Sequence, residues 1–126
     1  MAISEYRRNL INDLTQDIID YFHIQIPIKN IDDVVKKIGG TVIQDDQISE
    51  YSDGFIKKTS EQSFEIVVSI HQSNGRRNFT IAHEFGHLFL HMGYKINHDI
   101  WNEQINTYFR RGNTEEEYEA NEFAAA

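Results

Sequence analysis

Apolar residues near the start of the chain recur at helical spacing. Leu10, Ile11, Leu14, Ile18 and Tyr21 alternate with charged positions and predict a helix over residues 4–22 that lays one face on a core. Pro27, the only proline, breaks the pattern. Ile31, Val34, Val35 and Ile38 then line one side of a shorter helix over 28–38, with Gly39-Gly40 to end it. From there the period drops to that of strands. Residues 41–44 and 54–57 predict short strands, 64–70 the strongest one, and 59–63 the turn of a hairpin joining the last two. The helical period returns with Ile81, Phe85, Leu88 and Met92 at i, i+4, i+7 and i+11, with Ser73 or Asn74 available as a cap and Gly93 as a stop. Periodicity is weak from Gly93 to Asn113. A last helix follows over 114–126, acidic in its first turns and capped by Asn113 or Thr114. The whole reads as one domain over 1–126: N-terminal helices in 4–38, a sheet region in 41–70, a central helix over 74–92 and a terminal helix over 114–126. The fold class is α+β, with a small, mostly antiparallel sheet.

The central helix carries the chemistry. Its sequence Ala82-His83-Glu84-Phe85-Gly86-His87 contains His-Glu-x-x-His, and residues four apart on a helix share a face. His83 and His87 can therefore converge on one tetrahedral zinc ion, while Glu84, about 100° round the helix, reaches a water held at the metal. Zinc lowers the pKa of such a water to about 7, and a carboxylate beside it can take the proton and pass it to a leaving amine. The plainer reading is a core helix that happens to carry two histidines. A catalytic zinc site usually has a third protein ligand, and the acidic terminal helix offers five glutamates. Glu116 and Glu119 share a face with Phe123, and periodicity does not choose between them. His91, one turn beyond His87, is read as supporting the site or lying on the surface. Tyr94, His98, Tyr108 and Tyr118 are candidate donors to a developing oxyanion, none singled out.

Two blocks, Arg76 to His91 and Glu119-Ala120-Asn121-Glu122-Phe123-Ala124-Ala125, resemble the ImmA/IrrE family of metallopeptidases, whose pattern is Arg-x-x-Phe-Thr-x-Ala-His-Glu-x-Gly-His followed by Glu-Ala-Asn-x-Phe-Ala-Ala. The resemblance implies Zn2+ held by His83, His87 and, from its place before Ala-Asn, Glu119, with Glu84 as general base. It implies a minimal thermolysin-like zincin core. It also implies a site-specific endopeptidase whose substrate is a helix-turn-helix, DNA-binding repressor of mobile elements or stress genes. The family pattern continues into a leucine-rich stretch where this sequence stops at Ala126, so the domain reads as C-terminally truncated.

Composition narrows the setting. There are no cysteines, which excludes disulfides and thiolate-ligated zinc. No apolar run is long enough for a bilayer and no leader-like segment opens the chain, so a cytoplasmic protein without membrane contact is expected. A net charge of −8 argues against direct binding of nucleic acid, and the basic pairs Arg7-Arg8, Lys57-Lys58, Arg76-Arg77 and Arg110-Arg111 read as solvated. The leading expectation is a zinc-dependent endopeptidase of a cytosolic protein; the alternative is a zinc-stabilised, non-catalytic protein-binding module, for which Glu84 would have no use. Two histidines and a carboxylate also suit manganese, iron or cobalt. An edge strand beside the metal would let an extended peptide add as a strand.

Overall fold

Ser4 starts the first helix by accepting a hydrogen bond from the Arg7 amide, and α1 runs Glu5–Tyr21 with Ile11 and Ile18 buried. The computed structural model describes residues 4–25, 28–45, 54–70, 72–104 and 114–125. Helix α2, Ile31–Ile38, begins three residues later than the apolar pattern suggests, because the Asn30 side chain caps it by accepting from the Asp32 amide. Gly39 ends it at φ 118°, and a Cβ there would stand 2.8 Å from the Gln62 carbonyl oxygen, so only glycine fits this turn.

The sheet has three strands in the order β1-β3-β2: β1 Gly40–Asp45, β2 Gly54–Ser60 and β3 Ser63–Ser69. The expected hairpin is present between β2 and β3; β2 runs three residues past the expected 54–57, while β3 keeps the expected length but starts one residue earlier. Yet β1 pairs parallel to β3, with Val42 opposite Ile66, so the sheet is mixed and not mostly antiparallel. The reason lies in β3. Phe64, Ile66, Val67 and Val68 are all buried, so this strand takes the centre, while β1, with Thr41 and Ile43 exposed, is left to an edge.

Helix α3, Asn74–Gly86, is capped by Ser73 and lies across β2 and β3. Arg77 ties it to α2 through two parallel hydrogen bonds to Asp32, at 2.8 and 2.9 Å. This arginine is therefore paired, against the expectation from its basic neighbour. The helical path beyond Gly86 is not α. Residues His87–His91 form a π-helical turn, with Met92 donating to the His87 carbonyl at 2.8 Å, before Gly93 turns the chain at φ 81°. A short α4, His98–Glu103, occupies part of the weakly periodic stretch and buries Trp101. The last helix, α5, spans Thr114–Ala125 and lies on α3 and α1. The core under these elements joins Ile11, Val35, Ile56, Ile66, Ile81, Leu88 and Phe89, with Phe123 of α5 stacked on Phe89 at 5.9 Å. This gives an α+β fold compatible with a small zincin-like domain. No helix among the described residues is long and apolar enough to cross a membrane.

Candidate metal centre

The approach of α5 to α3 builds the site, and one residue permits it. A Cβ on Gly86 would stand 2.8 Å from the Ala120 Cα, so glycine there lets the two backbones come closer than any other residue would allow. At this crossing Glu117, one turn before Ala120, meets the motif histidines. Its Oε1 is 3.2 Å from His83 Nε2 and its Oε2 is 3.0 Å from His87 Nε2. One donor atom from each of the three lies within 4.8 Å of the others.

These residues fit a divalent ion. Ligand atoms of a tetrahedral zinc, each about 2.0–2.2 Å from the ion, stand about 3.3 Å apart, close to the spacing here. The ring orientations agree. His83 Nδ1 is 2.7 Å from Asn121 Oδ1, an acceptor, so it carries the proton and leaves the Nε2 lone pair facing Glu117. Imidazole nitrogens this close to carboxylate oxygens need a proton or a cation between them, and a divalent ion can fill that role.

The structure brings His83 and His87 together as the motif requires, but the carboxylate beside them is Glu117 and not Glu119. Glu119 points elsewhere: its Oε1 is 2.9 Å from His91 Nε2 and its Oε2 is 2.6 Å from Arg7 Nε. Glu116 is not in the cluster either. Glu119 turns toward α1 and the π-helical turn, whereas the Glu117–Ala120–Asn121 stripe faces the crossing. The signal for this was present in the sequence, since small residues at 86 and 120 mark a close helix contact and Glu117 and Asn121 are spaced to share it. His91 is not a member of the cluster, but its Nδ1 is 2.9 Å from His87 Nδ1.

Of the oxyanion candidates, Tyr94 is a core residue whose buried hydroxyl donates to the Ile38 carbonyl at 2.7 Å. His98 lies in α4 and accepts from Asn102 at 2.9 Å. Tyr118 is 40 % exposed on α5, and Tyr108 lies outside the described residues.

Burial and charge set the protonation of the centre. Burial, then the positive influence of His83 and His91, holds His87 down at about 3, so its ring is neutral and able to bind a cation. Burial and the neighbouring Glu117 carboxylate push Glu84 up to about 8. Burial works upward on Glu119 too, but hydrogen bonds from Arg7 and His91 outweigh it and hold this carboxyl below its usual range. Perturbed acid, base and imidazole groups converging at one place are a physical signature of a reactive centre.

The sequence profile of the M78 peptidases, the IrrE N-terminal-like domain, matches residues 36–126. The chain belongs to this family. The match covers α3, the π-helical turn and α5, and so takes in His83, Glu84, His87 and Glu117. Comparison with curated proteins and with solved structures finds no match. Membership in the M78 family makes the protein a peptidase, a hydrolase, of metallopeptidase type, and the cluster of two histidines and a glutamate could hold the metal. Helix α1, with Arg7, lies outside the matched segment of this M78 domain.

Proposed function

We propose that the protein is a zinc-dependent endopeptidase that cleaves a cytosolic protein at a specific site, with a helix-turn-helix transcriptional repressor as the substrate class. The observation that carries this is Glu84: a buried carboxyl with its pKa pushed up to about 8, next in sequence to His83 and within electrostatic reach of Glu117. A metal site with only a structural task has no use for such a group.

His83 and His87 would hold the ion through their Nε2 atoms, Glu117 would supply the third ligand, and Asn121 keeps the His83 ring in register through Nδ1. When bound, zinc supplies Lewis acidity and makes water acidic near neutral pH. A cation beside Glu84 favours its ionised form, and that carboxylate would accept the proton of the attacking water and deliver it to the leaving amine. For the substrate, β2 is the edge strand that runs beside α3, with Gly54 against the Thr80 side chain. An extended peptide adds there through main-chain hydrogen bonds.

Two measurements on one preparation test the reading. Elemental analysis of protein purified without added metal is expected to give about one zinc per chain. Profiling of new protein N-termini in cells expressing wild type or Glu84→Gln is expected to show cleavage products with the wild type alone, since an amide cannot take the proton. Zinc without any new termini would favour the non-catalytic binding module; equal cleavage by Glu84→Gln would remove the mechanism.

A further inference from the structure

A chain of side chains leads from the motif histidine out to the first helix. His87 Nδ1 is 2.9 Å from His91 Nδ1, His91 Nε2 is 2.9 Å from Glu119 Oε1, and Glu119 Oε2 is 2.6 Å from Arg7 Nε. Its inner members are largely withdrawn from water: the His87 and Glu119 residues are 3 % and 7 % exposed, while Arg7 closes the chain at the surface. Partners fix the hydrogens along it. Arginine only donates and a carboxylate only accepts, so His91 must present N–H at Nε2 to Glu119. When His87 Nε2 is free to hold an ion, the ring proton lies on Nδ1, which then donates to His91 Nδ1. The Nε2 lone pair of His87 is thereby aimed at Glu117, where the ion would sit. The His87 and His91 rings stand 5.1 Å apart along the π-helical turn.

We infer that Arg7, Glu119 and His91 are positioning residues that hold His87 in its metal-binding tautomer and orientation, so that α1, through Arg7, sets how tightly the His83–His87–Glu117 triad holds its divalent ion. The inference rests on the metal reading above. It also gives the segment outside the matched family profile a task at the centre. Groups that orient a metal-binding histidine commonly contribute 10–100-fold in affinity.

The test is Zn2+ affinity, by competition with a chromophoric chelator, for the wild type, Glu117→Gln, Glu119→Gln, Arg7→Gln and Arg7→Lys. In Glu119→Gln the amide oxygen stays on Arg7 and its NH2 faces His91, which reverses the donor order down the chain. That variant is expected to bind zinc at least tenfold more weakly, Arg7→Gln more weakly than the wild type, and Arg7→Lys close to it. Long-range 1H–15N spectra of the metal-free proteins give a second readout, which a loss of packing alone would not move. They are expected to show His87 as the Nδ1–H tautomer in the wild type and a shift toward Nε2–H in Glu119→Gln. Zinc bound by the wild type and lost in Glu117→Gln, but held equally by Glu119→Gln and Arg7→Gln, would overturn the relay alone. A wild type that takes up no zinc would overturn the metal reading and the relay with it. A Glu119→Gln protein that weakens without any change of His87 tautomer would also overturn the relay, leaving Glu119 a packing residue.

Discussion

At the scale of single residues, the meeting of His83 and His87 was legible because their spacing is itself the geometry: residues four apart on a helix must share a face. Which carboxylate lies beside them was not, because spacing along α5 leaves its rotation about its own axis undefined. A reading from the Phe123 face selects Glu116 and Glu119, whereas the contact of Ala120 with Gly86 rotates Glu117 and Asn121 onto α3. A direct comparison follows. Glu117→Gln removes a ligand and is expected to lower zinc affinity by more than the 10–100-fold typical of supporting groups, and by more than Glu119→Gln does. The same chelator competition checks it, and a Glu117→Gln protein that binds as the wild type does would exclude Glu117 as a ligand.

Among the elements, the contact of α3 with α5 decides whether the site exists, and it turns on a glycine with ordinary helical φ of −56°. Gly86→Ala has two opposed effects. Helix propensity favours alanine by about 1 kcal/mol, while forcing a methyl against the Ala120 backbone at 2.8 Å costs about 1–3 kcal/mol in a packed contact. The clash is with backbone and cannot be relieved by a rotamer, so a net loss of about 1 kcal/mol is expected in urea unfolding. Zinc affinity is expected to fall with it, as Glu117 is pushed from the histidines; a protein with unchanged affinity would show that α5 does not need this close approach. The Arg77–Asp32 pair joins α3 to α2 in the same fashion. Its hydrogen bond with Arg77 holds Asp32 below the usual carboxylate range, so its stabilisation is present at neutral pH and is lost as pH falls through that lowered value. Because Asp32 is 37 % exposed and partly screened, Arg77→Ala is expected to cost about 1 kcal/mol. Helices α1, α2, α3 and α5 and the hairpin were readable from period, but α4 and the parallel pairing of β1 with β3 were not. Strand order depends on which strand can be buried on both faces, a comparison among distant segments that no local period expresses.

For the whole molecule, the buried centre makes the metal-free protein's stability depend on pH in a way that can be derived. His87 is held down from 6.5 to about 3, so between those values the unfolded chain binds the extra proton and stability is lost as pH falls. Glu84 is raised from 4.5 to about 8, so there the folded chain binds the extra proton and stability is lost as pH rises through that range. The two windows overlap between 4.5 and 6.5, where the effects oppose one another. Chelator-treated protein is therefore expected to show a plateau of melting temperature in that interval, an acid limb from His87 below it and an alkaline limb from Glu84 above it. Neither group alone can make a limb steeper than about 1.4 kcal/mol per pH unit. Glu84→Gln is expected to remove the alkaline limb and leave the acid one, and an alkaline limb that survives in this variant would assign it to another group. Zinc should change the same curve. A dication at the triad favours the ionised form of Glu84, so the alkaline limb flattens. Binding to the folded state alone also adds about 2.7 kcal/mol when free zinc exceeds Kd a hundredfold. Melting curves at pH 5.5 and 8 with and without zinc, for the wild type and Glu84→Gln, separate this from proton competition at the histidine ligands, which both proteins share: an extra gain at pH 8 in the wild type alone would place the carboxylate within the field of the metal, and equal gains in the two proteins would mean that the ion does not act on Glu84.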